Sequence, residues 1–129
     1  MNVSPEVRIW ASKADRDLEA ARRLARGDPP LPDQVGFFCQ QTAEKYLKAF
    51  LIAVEQVPPR THDVDALVEM CAAVDPAFER LQSVVEGLTE FAVIFRYPEA
   101  WSDQVSADRS MDQAEQVRAL VRQKPSLTD

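Results

Sequence analysis

Histidine occurs once in this chain, cysteine twice and glycine three times, and each scarcity removes a class of chemistry. One histidine, His62, and two well-separated cysteines, Cys39 and Cys71, cannot assemble a usual four-ligand zinc site. Each cysteine falls on an apolar stripe, so the pair reads as buried thiols in a reducing compartment rather than as a disulfide. Gly27, Gly36 and Gly87 stand apart, which leaves no phosphate loop and no dinucleotide fingerprint. No apolar run approaches the roughly 20 residues of a membrane span. The stretch Met1-Asn2-Val3-Ser4-Pro5-Glu6 lacks the basic-then-apolar pattern of a signal peptide. A cytoplasmic protein with no membrane partner is expected. Nothing alternates with period two over a useful length, so no strands are expected. The net charge of -6 argues against a general nucleic-acid binder, though a local basic groove is compatible with it.

Proline, by contrast, is plentiful and well placed. The nine prolines stand at 5, 29, 30, 32, 58, 59, 76, 98 and 125 and leave five proline-free segments. Proline breaks helix interiors but suits first turns and loops. The segments all carry apolar residues at steps of three and four, the signature of a buried helix face. The chain, 129 residues long, therefore reads as one all-α domain over residues 1–124, an up-and-down bundle of four to five helices, followed by a frayed tail, 125–129.

The central element is the stretch Asp33 to Val57. Cys39, Ala43, Tyr46, Leu47, Phe50 and Val54 form its apolar stripe, widened by Phe38, Thr42, Ala49 and Ala53 to about half the circumference at about 100° per residue. A face that wide needs neighbours on two sides, which makes this helix the pillar of the fold. Asp33 is expected to cap it and Pro58-Pro59 to end it. Its other side carries Gln40, Gln41, Glu44, Lys45, Lys48 and Glu55, with Glu44 and Lys48 spaced for an i,i+4 pair. Before it, Ser4-Pro5-Glu6 opens a helix to Arg26 along Val7, Trp10, Ala14, Leu18 and Ala21. That helix closes on Arg22, Arg23 and Arg26, which either complement its dipole or, with Lys13 and Arg16, face phosphate. After the pillar, a helix runs from about Asp63 to Val74. A fourth starts at Asp75-Pro76 and passes through Phe78, Leu81, Val84, Val85, Leu88, Phe91, Ala92 and Phe95 to stop at Arg96-Tyr97-Pro98. A fifth spans about Ala107 to Gln123.

Two acidic pairs, Asp15-Arg16-Asp17 and Asp63-Val64-Asp65, resemble two-carboxylate metal motifs, but neither follows a glycine-serine turn on a strand, and metal catalysis is not expected from them. No serine has a nucleophile-elbow context beside His62. His62 itself has two readings. Between Thr61 and Asp63 it can brace the loop at a helix start, or it can contact a ligand or partner phosphate together with Arg60. Arg96 likewise either pairs with a carboxylate of the pillar or offers its fork to an anion, and Tyr97 either plugs the end of the core or belongs to the same groove.

Four pieces in order resemble the HEPN family, the higher eukaryotes and prokaryotes nucleotide-binding domain. They are Trp10, Ala14 and Asp17-Leu18 with Ala21; the block Phe37-Phe38-Cys39-Gln40-Gln41-Thr42-Ala43-Glu44-Lys45-Tyr46-Leu47-Lys48-Ala49; Pro59, Thr61-His62-Asp63 and Leu67; and Arg96-Tyr97-Pro98. The resemblance spans about residues 6 to 122. It implies a helical bundle, commonly dimeric, in one of two roles. Some small HEPN proteins bind nucleotides or pair with a minimal nucleotidyltransferase; others are metal-independent ribonucleases, often toxins of toxin–antitoxin modules, built on an Arg-x(4–6)-His motif. Here Arg96 has no histidine four to six residues after it, and Arg60 stands only two residues before His62. The expectation is a non-catalytic binding domain without a cofactor. Its partners would be a nucleotide or a nucleotidyltransferase before RNA, and its site Gln41, Lys45, Lys48, Arg60, His62, Asp63, Arg96 and Tyr97. A ribonuclease with a divergent site and a purely structural or antitoxin-like protein are the alternatives. The aromatics Phe91, Phe95 and Trp101 suggest a homodimer built on the late helices.

Overall fold

The computed structural model describes residues 3–91, 99 and 101–127. Among these it contains five α-helices and no strand: α1 Pro5–Ala25, α2 Pro32–Ala53, α3 Val64–Val74, a single turn α4 Leu81–Val84, and α5 Gln104–Arg122. Two 3-10 turns, Pro76–Arg80 and Pro125–Leu127, complete the element order. The chain is thus the all-α bundle that its proline spacing predicts.

α1 starts as its sequence dictates. Ser4 Oγ accepts from the Val7 amide at 3.3 Å, Pro5 occupies the first turn, and Glu6 adds a negative charge there. Val7, Ala11, Ala14, Leu18 and Ala21 are its buried stripe. The small alanines let α1 lie close on α2, close enough for Thr42 Oγ1 to donate to the carbonyl of Ala14 at 3.3 Å.

α2 is the pillar and packs against α1, α3 and α5. Its buried positions occur on nearly every side: Val35, Cys39, Ala43, Tyr46, Leu47 and Leu51 are fully buried, and so is Gln40. Its ends differ from expectation. Pro32 is the first helical residue and Leu31 the cap, with no side-chain hydrogen bond. Asp33 instead sends its carboxylate across the fold to accept from the Ser102 amide at 2.5 Å. The helix stops at Ala53, ahead of Pro58, because Glu55 turns into the left-handed region at φ 62; Val57 is then almost fully exposed.

The fourth segment departs furthest. Its apolar spacing of three and four is met by a 3-10 turn, one α turn and a run of turns before helix resumes at Glu90 and Phe91, not by one continuous helix. Gly87, at φ 80, is the break. Phe78, Leu81, Val85, Leu88 and Phe91 nevertheless all reach the core. Phe91 is therefore a core residue and not part of an apolar outer face, while Trp101 is exposed and Phe95 lies outside the described residues. At the C-terminus, Pro125–Leu127 forms a 3-10 turn and buries Leu127. No described helix is long and apolar enough to cross a membrane.

Candidate functional site

The polar ridge of α2 is the part of the molecule where charge meets the interior. Gln40 is fully buried, and Glu44 and Lys48 retain only 4% and 7% exposure. Burying such groups is costly unless they are paired, and here they are paired with one another. Glu44 Oε2 accepts from Lys48 Nζ at 3.2 Å, the i,i+4 pair expected from the sequence. Glu44 Oε1 accepts from Gln40 Nε2 at 3.2 Å and lies 2.9 Å from His62 Nδ1. Gln40 Nε2 also reaches the backbone carbonyl of His62 at 2.9 Å, and Gln41 Nε2 closes the chain on Gln40 Oε1 at 2.8 Å. The Lys48 ammonium stands 5.9 Å from the centre of the Trp10 ring on α1.

This network clamps the loop between α2 and α3 onto the pillar. Within the loop, Thr61 Oγ1 accepts from the Asp63 amide at 3.1 Å, and Asp63 Oδ1 caps α3 by accepting from the Ala66 amide at 3.2 Å. The Val64 amide is satisfied by Thr89 Oγ1 at 3.1 Å, which ties the start of α3 to the following segment. The His62 side chain remains 60% exposed. With a carboxylate on Nδ1, that nitrogen carries the proton, and Nε2 is left as the ring's acceptor. Arg60 is exposed on the same loop.

The sequence-expected residues therefore divide. Lys48 and His62 meet on Glu44, and Gln41 joins them through Gln40; Asp63 caps α3 next to His62 in the chain, and Arg60 is exposed two residues before it. Lys45 does not join them: its ammonium binds Asp17 of α1 at 2.5 Å. Arg96 and Tyr97 lie outside the described residues. Glu44 and Gln40 hold the site together, yet both read from sequence only as outward-facing polar positions. The i,i+4 ladder Gln40, Glu44, Lys48 was the available signal. Lys48 and His62 share one carboxylate and Lys45 has its own, so the ridge is no bare phosphate clamp. The outward chemistry is an oriented imidazole edge on a loop that also carries the exposed Arg60.

A second polar cluster joins α1, α2 and α5. Asp15 Oδ1 accepts from Arg118 Nε at 2.9 Å and from the Tyr46 hydroxyl, and Oδ2 accepts from Arg122 Nη2 at 2.7 Å. Arg122 Nε also donates to the Tyr46 hydroxyl at 3.1 Å. Burial pushes the Asp15 carboxyl up, but the hydrogen bonds from Tyr46, Arg118 and Arg122 outweigh it and hold its pKa below the ordinary 3.8. Burial and then the Asp15 hydrogen bond raise Tyr46. The sequence places Tyr46 on the apolar stripe; its ring is buried there, and its hydroxyl serves the Asp15 cluster, which the apolar pattern does not signal. Nothing in the sequence linked Asp15 to residues about a hundred positions away.

Among the described residues no three His, Cys, Asp or Glu side chains are grouped so as to hold an ion. Asp15 and Asp17 are consumed by cations, and Asp65 is raised by burial and by its neighbours Asp63, Glu69 and Glu86. Cys39 and Cys71 are both free and buried, each pushed up to about 12 by desolvation.

The HEPN domain family model matches residues 7–124 of the chain. The crystal structure of ST0689, an archaeal HEPN homologue, is similar at a TM-score of 0.70 and 24% sequence identity, over 95% of this chain and 98% of that one. That likeness is one of fold. No curated protein matches the sequence.

Proposed function

The chain belongs to the HEPN domain family, and from that membership and the geometry around Glu44 we propose a non-catalytic binding domain that takes a nucleotide, or a minimal nucleotidyltransferase partner, at the His62 edge. The observation that carries the reading is the histidine itself. It is the chain's only one, its Nδ1 is held by a buried carboxylate at 2.9 Å, and its ring stays 60% exposed. A side chain that only braced a loop would gain nothing from staying so exposed. Nε2 accepts from a ribose hydroxyl or a base amine, and Arg60 offers five donors to a phosphate. A toxin–antitoxin-type module is the setting in which such a domain works beside a nucleotidyltransferase.

The test is calorimetric titration of the purified protein with a nucleotide panel, alongside pull-down with a minimal nucleotidyltransferase. His62→Ala and Arg60→Ala are expected to weaken one of the two at least tenfold while leaving thermal stability within a few degrees. Unchanged affinity for both ligands in both variants, and in Arg96→Ala, would overturn the site.

One observation favours a second reading. A carboxylate orienting an imidazole is also the arrangement of a general base, so a metal-independent ribonuclease using Glu44 and His62 is the competing function. Cleavage of an RNA panel without metal, abolished by His62→Ala, would replace the binding reading with this one.

A further inference from the structure

The turn at Gly87 and the first half of α5 line a common cavity of about 230 Å³. The turn contributes the carboxylates of Glu86 and Glu90, α5 contributes Arg109 and Gln113, and the approach to α5 contributes Trp101 and Ser102. Arg109 and both glutamates are exposed, and none of their three side chains has an ion pair or a hydrogen bond among the described residues. Opposite charges thus line one small cavity without closing on each other. The third carboxylate of the lining, Asp103, is already engaged: it caps α5 by accepting from the Ser106 amide at 2.7 Å.

Two sheltered polar groups in the same lining are also left over. Gln113 is only 4% exposed. Its Nε2 gives its protons to the carbonyls of Val84 and Glu86, at 2.9 and 2.8 Å, which pins the turn to α5. Its Oε1 accepts from no described residue. Ser102 Oγ is sheltered from water and has no partner either, although the Ser102 amide is anchored on Asp33. A sheltered polar group without a partner is costly, and two of them around one cavity mark a place where a ligand supplies what the chain does not.

We propose that this cavity binds a free amino acid in its zwitterionic form, one with an apolar side chain. The planar fork of Arg109 matches the ligand carboxylate. The ligand ammonium has three protons to give, and Glu86, Glu90 and Gln113 Oε1 are the acceptors without donors. Trp101, 80% exposed, and Phe91, which also lines the cavity, offer ring surface to the apolar side chain. Size excludes larger occupants, since sites for drug-sized molecules run to roughly 300–1,000 Å³. Charge decides among the small ones. A simple amine leaves Arg109 unanswered, and a simple carboxylic acid is repelled by the two glutamates. A molecule carrying both charges answers both. The cavity shares no lining residue with the His62 edge and is a second site.

The experiment is calorimetric titration of the full chain with L-leucine, L-methionine and L-phenylalanine, each beside its amide and its deaminated acid. At about pH 6 the amide carries only the positive charge and the deaminated acid only the negative one. At least one of the three amino acids is expected to bind about tenfold or more tightly than both of its single-charge analogues. Arg109→Ala is expected to abolish the preference over the amide and keep that over the deaminated acid. Glu86→Gln/Glu90→Gln is expected to do the reverse. All three positions are exposed, so both variants should keep the thermal stability of wild type. No binding of any of the three amino acids at millimolar concentration, a single-charge analogue that binds as well as its amino acid, or variants that retain both preferences would overturn the proposal. If Arg109→Ala loses helix content by circular dichroism, Arg109→Gln takes its place with the same expectation, and a preference over the amide that survives in it counts against the site.

Discussion

Phe91 lies flat against the backbone of Gly36: a Cβ placed on that glycine would stand 1.9 Å from Phe91 Cδ1 and 2.1 Å from Cε1. No real side chain tolerates such distances, so the absence of a side chain at Gly36 is what lets the segment after Gly87 close on α2. Gly36→Ala is expected to destabilise the fold by about 1–3 kcal/mol, despite the roughly 1 kcal/mol that alanine gains over glycine inside a helix. Thermal unfolding reads this as a drop of roughly 4 °C for each kcal/mol at this chain length. Combining it with Phe91→Leu should recover part of the loss; a stabilised Gly36→Ala would contradict the packing.

Glu44 is the one acceptor for both Lys48 and the His62 ring. Glu44→Gln keeps the shape but leaves the Lys48 ammonium buried without a counter-charge, which costs about 3 kcal/mol. Glu44→Gln with Lys48→Met should cost clearly less than Glu44→Gln alone. Denaturant unfolding of the two variants and Lys48→Met gives the coupling, and strict additivity would mean that the pair is not coupled in solution.

Acid should loosen the fold through Asp15 and Asp75. The Asp15 carboxyl is held below its ordinary 3.8 as described, and hydrogen bonding from Lys124 followed by that from the Ala77 amide lowers Asp75. A carboxyl whose native pKa lies below its unfolded value stabilises the fold above the unfolded value, and the contribution is lost as pH falls through the native one. Stability measured from pH 6 downward should therefore decline below about pH 4. In Asp15→Asn it should start lower at pH 6 and decline less steeply. A wild-type stability independent of pH in that range would refute the assignment.

Both thiols should be silent in the native protein. With pKa values near 12 and no exposed surface, Cys39 and Cys71 present negligible thiolate at neutral pH. A thiol-reactive chromophore should count none in the native state and two after denaturation. Reaction of either before unfolding would show that α2 or α3 opens locally.

Much of this architecture was legible from the sequence because proline and capping residues act locally. Ser4-Pro5 and Asp75-Pro76 start their turns where the sequence places them, and Asp63 caps α3. What escaped depended on contacts between distant residues. Asp33 has the residue type and position of a cap, but its carboxylate is taken by the Ser102 amide. The period of three and four through Phe78 and Leu88 fits 3-10 turns as well as a helix, so the break at Gly87 did not register in the apolar pattern. On α2, polar residue types suggested an outer face, yet Gln40, Glu44 and Lys48 are inside because they satisfy one another. The Asp15 cluster, drawn from three helices, has no local signature at all.

The bracing of the α2–α3 loop also makes the protein its own optical sensor. From His62 the contacts run through the two oxygens of Glu44 to Lys48, and Lys48 stands over the indole of Trp10 on a different helix. Of the two tryptophans, Trp101 is immersed in water and gives a fixed background, while Trp10 is half-sheltered against the core. Anything that draws the imidazole outward tugs a cation away from that indole. Occupancy at a surface loop becomes readable as a change in emission from a neighbouring helix, with no label attached.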